Sequence, residues 1–351
     1  MNIEKIQEQL DKKRRSVAFD SYDIAVRQLY DMILEGMINI APEYQRHFVW
    51  KGERQSALIE SLLLGIPIPS LFMATNKDAS WDVVDGVQRL TTLLNFIGNE
   101  KDLKETGINF KPLRLSKLEK LDAMNGIVYE DLPKSMQIML KTRSLRITVL
   151  NDRSDFNVRY DLFERLNTGG VILHPQEIRN CVFLGKFNDF IKDLSRDKNF
   201  RAVVKMTETA ERTGSYEELV LRFFACYEDR ENYVSSVKGF LNDFMEKKTK
   251  SFKNKGHFRK LFNDTFKCLN ENLPKGIVRG ARKNRTPVVL YEAISIGTAI
   301  AIQSGVQIDG NVLIDLLNDK DLKKYTTGAT NSKKMLVKRI NRVKDRLLNA
   351  V

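Results

Sequence analysis

Cysteine and histidine are both scarce, with three of each among 351 residues. Cys181, Cys226 and Cys268 stand far apart, are odd in number and include no Cys-x-x-Cys pair. That pattern argues against a disulfide scaffold or a zinc site and for a reducing cytosol. Long apolar runs are missing as well. The most apolar window, 288–302 (VVLYEAISIGTAIAI), contains Glu292 and is too short to span a bilayer, so it reads as a buried core helix. The start of the chain, MNIEKIQEQLDKKRRS, is charged from its fourth residue and does not read as a signal peptide. The expected setting is therefore cytoplasmic, with no membrane partner. Internal repeats and low-complexity linkers are also lacking.

Acidic residues are absent from two stretches, 247–260 (KKTKSFKNKGHFRK) and 275–285 (KGIVRGARKNR). A third, 320–346, carries ten Lys and Arg against two Asp. With a net charge of +13 and a pI near 9.5, the chain favours an anionic partner through long-range attraction. Nucleic acid is the expected one, held through phosphate contacts that weaken steeply with salt. Solvated helical faces are the plain alternative; they explain one such cluster more readily than three.

What is present is most informative between Trp81 and Phe96 (WDVVDGVQRLTTLLNF). The pattern predicts a short buried strand that ends at Asp85-Gly86 and turns directly into a helix. A helix N-terminus exposes unpaired N–H groups and the positive end of the macrodipole, so it holds anions readily. Arg89 adds a planar fork of donors suited to phosphate, Gln88 an amide, and Asp85 a carboxylate that can hold a metal or orient a water. The plain alternative is Asp85 as a helix N-cap and Arg89 as a surface charge.

Two further segments carry polar groups in the same style. In 38–50 (INIAPEYQRHFVW), Pro42 forces an extended lead-in, and Tyr44, Gln45 and Arg46 precede an apolar anchor at Phe48, Val49 and Trp50. In 163–181 (FERLNTGGVILHPQEIRNC), Asn167-Thr168-Gly169-Gly170 can adopt positive φ and present successive N–H groups to an anion. Arg165, Asn167, Arg179 and Asn180 supply polar groups around that turn, and Pro175 opens a following helix. A glycine hinge between two helices is the alternative there.

With these blocks in order, the chain resembles the GmrS-like N-terminal domain of GmrSD-type modification-dependent restriction systems, a branch of the ParB/sulfiredoxin-like superfamily. The matching residues are Pro42, Tyr44 to Arg46, Phe48 and Trp50, then Leu58 to Phe72 (LIESLLLGIPIPSLF), Asp85 to Leu93, and FERLNTGG with Glu177, Arg179 and Asn180. The family usually reads Asp-Gly-Gln-Gln-Arg at the turn, and here Val87 replaces the first Gln, removing a donor and an acceptor. The resemblance implies nucleoside-triphosphate hydrolysis with Mg²⁺, recognition of DNA that can carry modifications, and defence against phage. Many relatives cut with a separate His–Asn–His nuclease domain, which needs a histidine base beside metal ligands. Of His47, His174 and His257, two lie in the N-terminal blocks and one in a lysine-rich stretch, so cutting is expected from a separate nuclease or toxin effector.

The expected fold is α+β, with a ParB/sulfiredoxin-like domain over 1–185 and an all-helical basic domain over 186–351. In the first, the pattern predicts helices over 22–35, 52–64, 87–97, 133–142 and 155–166. Strands are expected over 38–40, 70–74, 81–84 and 145–150, with an irregular insertion at 101–130. In the second, aromatic and aliphatic residues recur at helical spacing and read as helix-packing core. The last helix is capped by Asn331 or Ser332, with Leu336, Ile340, Val343 and Leu347 as one stripe and a Lys/Arg-rich opposite face that can meet DNA or an acidic partner.

The expected site joins Asp85 for metal or water, Gly86, Gln88 and Arg89 for phosphate, Tyr44, Gln45 and Arg46 as a closing loop, and Arg165, Asn167, Gly169 and Gly170 as the other wall. In the enzymatic reading, water attacks the terminal phosphorus of a triphosphate polarised by Mg²⁺ and Arg89. Two other readings remain open, a non-catalytic DNA-binding sensor and the regulatory or antidote partner of a toxin or nuclease.

Overall fold

The computed structural model describes residues 3–14, 18–40, 50–76, 78–104, 110–151, 156–166, 173–234, 236–280, 284–328 and 330–349. Two compact units emerge, Met1–Ile172 and Leu173–Val351. The division falls ahead of the change in sequence pattern near 185, because the helix at 175–182 packs with later helices.

The first unit runs α1 (Ile3–Arg14), β1 (Phe19–Ala25), α2 (Val26–Leu34), β2 (Ile38–Asn39), α3 (Gly52–Leu64), β3 (Leu71–Thr75), β4 (Trp81–Asp85), α4 (Val87–Ile97), α5 (Glu100–Lys104), α6 (Lys134–Thr142), β5 (Ser144–Leu150) and α7 (Phe156–Leu166). Its five strands form one mixed sheet in the order β1-β5-β3-β4-β2. The hairpin expected across 76–79 is there, with β3 and β4 antiparallel. β5 lies parallel to β3 and antiparallel to β1, while β2 adds parallel to β4. Alternation along the strands sorts their side chains between two faces. Leu71, Met73, Val83, Leu145, Ile147 and Val149 join the core that α2, α3, α4 and α6 cover. Phe72, Val84, Thr148 and Leu150 line a cavity with Leu162 and Phe163 of α7.

The helix expected over 22–35 is split. Residues Phe19 to Ala25 form β1, and α2 begins only at Val26. Only Ile24 in β1 is buried, so the strand lacks the alternation that betrays strands in sequence. It is extended because its backbone pairs with β5 from Phe19↔Leu150 to Ala25↔Ser144, a long-range ladder that local pattern cannot reveal. The stretch 101–130, expected to be irregular throughout, opens with the end of α5, and from 110 onward it contains two 3₁₀ turns at Asp122–Met124 and Tyr129–Asp131.

Among its described residues the second unit is helical throughout. It contains α8 (Pro175–Val182), α9 (Lys186–Leu194), α10 (Lys198–Val203), α11 (Glu208–Arg212), α12 (Ser215–Asp229), α13 (Val237–Lys250), α14 (Lys255–Asn272), α15 (Val288–Gln303), α16 (Gly310–Asn318), α17 (Lys320–Thr326) and α18 (Lys333–Leu348). The aromatic residues form its core: Phe262 and Phe266 sit 4.4 Å apart, and Phe200 meets Phe266 edge-on at 4.9 Å. No described helix is long and apolar enough to cross a membrane. The expected core helix 288–302 is α15, buried from Leu290 to Ala299. α18 approaches it closely at Gly297, where a Cβ would stand 2.6 Å from Val343.

Burying α15 buries Glu292, and a lone carboxylate there would be prohibitive. Arg222 of α12 donates to one of its oxygens at 2.8 Å, and Arg339 of α18 donates to the other. Arg222 also bonds Glu218 at 2.9 Å, and Arg179 of α8 reaches Glu218 at 3.1 Å and Asn242 of α13 at 2.9 Å. An alternating chain of three arginines and two glutamates thus links four helices. Arg339, one of the ten basic residues of 320–346, is 4 % exposed and belongs to this interior chain.

Removing one member strands the others. Glu292→Ala is expected to cost about 3–5 kcal/mol, read by urea unfolding, because two buried guanidinium groups lose their carboxylate. Burial opposes charge on Glu218, yet Arg222 and Arg179 outweigh it and hold the carboxyl below its ordinary value of 4.5. A depressed folded pKa contributes stability that is complete above that value and lost as pH falls through the folded one. Acid unfolding of the wild type should therefore steepen below about pH 4.5, and Glu218→Gln should flatten that dependence while lowering stability at neutral pH.

Candidate functional site

The site is built where β4 ends and α4 begins. Gly86 takes φ +107° between them and occupies the N-cap, and no side chain caps the helix. Asp85 is thus the last residue of the strand and not the cap. A Cβ at position 86 would lie 2.2 Å from Leu71 Cδ2, so a side chain there would be strained by the positive φ and would have to displace the Leu71 tip. α4 is eleven residues long, and its uncapped first turn carries the positive end of the helix dipole.

Arg89 closes the turn from inside. Its guanidinium bonds Asp85 at 3.0 Å and donates to the backbone carbonyls of Pro69 and Ser70. The residue is 9 % exposed, and burial lowers its pKa although Asp85 raises it. Asp85 is the more open partner, with its side chain 39 % exposed. Arg89 is thereby a tether between α4 and the entry to β3 as well as a source of positive potential.

Gln88 faces a different neighbour. Its side-chain oxygen accepts from the backbone N–H of Trp50 at 3.2 Å, and Trp50 packs against the sheet core with Arg54 4.5 Å above its ring. Trp50 is therefore joined to the first turn of α4. Tyr44, Gln45 and Arg46 themselves lie outside the described residues, as do Asn167, Gly169 and Gly170. Arg165 is exposed near the end of α7, a helix that packs beside β4. Val87, which departs from the expected amide, is half-buried and packs against the core.

Sequence reading missed the buried polar residues that hold this geometry. Gln55 of α3 donates to the Trp50 carbonyl at 3.0 Å and receives Asn95 of α4 at 3.4 Å. Asn95 also accepts from the Lys111 N–H at 3.2 Å. The available signal was polar residues within an apolar helix: Arg89, Thr91, Thr92 and Asn95 are all buried. Arg179 and Asn180, expected around the glycine turn, lie on α8, while the turn itself, 167–170, lies outside the described residues. Arg179 is 1 % exposed within the helical unit's charge chain, and Asn180 pairs with Gln176 at 3.1 Å.

The basic clusters are partly used up by tertiary pairing. Lys248 pairs with Glu228 and lies over Phe258, and Arg259 pairs with Asp193. Arg279 turns onto the Leu317 carbonyl and the Thr326 hydroxyl.

Between the sheet and α7 lies an apolar cavity of about 270 Å³, lined by Phe19, Phe72, Val84, Leu162 and Phe163 with Thr148 as its polar side chain. Among the described residues no group of three or more His, Cys, Asp and Glu side chains could enclose a metal. Asp85 fits the other manner of holding Mg²⁺, as one carboxylate beside substrate phosphates.

Residues 26–184 match the family model described as GmrSD restriction endonuclease, N-terminal domain. That segment contains β4, the Gly86 turn, α4 and α7, which are the elements that carry the site. No curated protein and no solved structure matches the chain.

Gly86→Ala is expected to destabilise the protein by about 1–3 kcal/mol, through positive φ and overpacking on Leu71. A drop in the midpoint of thermal unfolding checks it. Gln88→Ala should cost about 1 kcal/mol by leaving the Trp50 N–H without that acceptor, measured the same way.

Proposed function

We propose, on the premise that residues 26–184 belong to the GmrSD N-terminal domain family, that this protein is a nucleotide-binding component of a restriction-type defence system. In this reading it is DNA-associated, hydrolyses nucleoside triphosphate and acts with a separate nuclease or toxin effector. The first unit's mixed sheet with its helices is consistent with a ParB/sulfiredoxin-like fold. The observation that carries the reading is the α4 N-terminus at Gly86, which no side chain caps, flanked by the partly exposed Asp85 carboxylate and by Gln88 bonded to the Trp50 backbone.

In this reading the first-turn N–H groups receive the terminal phosphates. Asp85 orients the attacking water or serves as the carboxylate ligand for Mg²⁺. Mg²⁺, held there by Asp85, would supply a Lewis acid that offsets phosphate charge. Arg89 keeps the turn in shape through Pro69 and Ser70 and adds positive potential from behind it. Tyr44, Gln45 and Arg46 close over the pocket, with Arg165, Asn167, Gly169 and Gly170 as its other wall. Catalysis here is positioning and electrostatics, with no covalent step on the protein.

One observation favours a second reading. Val87 is packed against the core and offers no amide to a nucleotide. A protein that binds nucleotide without turning it over would act as a sensor, its bound state shifting the population of a DNA-binding form.

The test is phosphate release from ATP, GTP, CTP and UTP with Mg²⁺, with and without DNA. Asp85→Asn removes the carboxylate charge while keeping its shape. Release by the wild type that falls at least 100-fold in Asp85→Asn, with unfolding unchanged, supports the enzyme. Equal release in both overturns the assignment of Asp85. No release from the wild type, with saturable nucleotide binding that Asp85→Asn weakens, moves the pocket to the sensor reading.

A further inference from the structure

The helical unit presents one basic surface that tertiary pairing leaves largely unneutralised. On α18, Lys334, Lys338, Arg342 and Arg346 follow one another at intervals of four, so they form a single ridge along the helix. The opposite side of α18 is the buried stripe of Leu336, Ile340, Val343 and Leu347. Ser332 caps the helix by accepting from the Met335 N–H at 3.3 Å, and Val343 is locked against Gly297. The ridge is therefore mounted on a rigid element.

The neighbouring helix α17 adds to it. Arg342 pairs with Asp319 at 2.7 Å and Asp321 at 3.2 Å, and Lys324 pairs with Asp321 at 3.0 Å. Lys338 lies 5.5 Å over the Tyr325 ring. The two carboxylates are thus matched by Arg342 and Lys324, and Lys334, Lys338 and Arg346 remain as an exposed surplus.

We propose that the α17–α18 face is a docking surface for the sugar–phosphate backbone of duplex DNA, with Lys334, Lys338 and Arg346 as the phosphate contacts. This deepens the DNA-associated reading above and rests on it. From Lys334 to Arg346 the ridge spans about 18 Å, roughly five base steps along one strand. An acidic protein is the other occupant that positive charge would suit. A protein interface, however, is built round an apolar or aromatic centre and is depleted in lysine. Among the described residues, none of the exposed large hydrophobic side chains belongs to α17 or α18. Evenly spaced cations with no apolar anchor fit a repeating phosphate chain. Such a surface reads backbone and not base sequence, so it holds the protein on DNA irrespective of what the first unit recognises.

The experiment uses the full chain and fluorescence anisotropy with a labelled, unmodified duplex of about 30 base pairs, at a series of salt concentrations. The triple variant Lys334→Gln/Lys338→Gln/Arg346→Gln is compared with Lys101→Gln/Lys111→Gln/Lys134→Gln, which removes the same charge from exposed sites in the first unit. The ridge variant is expected to bind at least tenfold more weakly and to flatten the slope of log K against log salt by about 2.7, or 0.9 for each lost contact. The control variant should keep most of the affinity. Equal losses in the two variants overturn the ridge in favour of net charge alone. Wild-type affinity in the ridge variant overturns the ridge and leaves the DNA reading standing. If that variant loses binding to polyglutamate but keeps DNA, the face belongs to an acidic protein and the proposal fails. A wild type that binds no DNA even at low salt overturns both readings of DNA, and phosphate release then judges the nucleotide pocket alone.

Discussion

Position 86 strongly favours glycine, and the geometry of the candidate site follows from that constraint. A positive φ at this point lets the chain leave β4 and enter α4 without an intervening loop. With Leu71 filling the space where a Cβ would go, the helix start is pressed against β3. The first turn of α4 then stands at the end of the strand with Asp85 beside it. The four-residue spacing that makes Asp85 and Arg89 neighbours on a continuous helix also pairs them across this turn, at 3.0 Å. Backbone conformation, helix dipole and ion pair therefore describe one small structure.

The arginine of that turn has two duties that compete electrostatically. Satisfying the carbonyls of Pro69 and Ser70 anchors it in the interior, where its charge is costly and its donors are committed. The same burial keeps its field unscreened near the helix N-terminus. The helical unit solves a related problem differently. Glu292 lies in its most buried helix, and the compensating charges come from separate helices in an alternating chain. Such a chain is weak evidence for stability gained over an apolar core, but each member depends on the others. Arginine is suited to this, because one guanidinium can bond two carboxylates, as Arg222 does with Glu218 and Glu292.

Charge is also where reading a sequence as a string of residue types goes furthest astray. The stretches rich in lysine and arginine look uniform in sequence, yet they divide into three populations in space. Arg339 is interior, Lys248, Arg259 and Arg279 are committed to local partners, and Lys334, Lys338 and Arg346 of the α18 ridge are exposed. Spacing alone does not separate Arg339 from Lys338, its neighbour in the chain. Their difference lies in a rotation of 100° around the helix and in the presence of Glu292 on another element.

The sequence by itself determined the elements whose cause is local. The Gly86 turn with its strand and helix, the β3–β4 hairpin, the capped α18 and the apolar α15 were all legible, because turn chemistry, capping and periodicity act over a few residues. The aromatic residues of the second half were legible as core for the same reason. Only the tertiary structure decided β1, whose extended form depends on a partner strand more than a hundred residues away in the chain. It alone decided that Arg179 faces Glu218 and Asn242, and that Gln88 reaches the backbone of Trp50. Those contacts are hydrogen bonds between residues distant in sequence, and a polar side chain carries no local mark of the partner it will meet when buried.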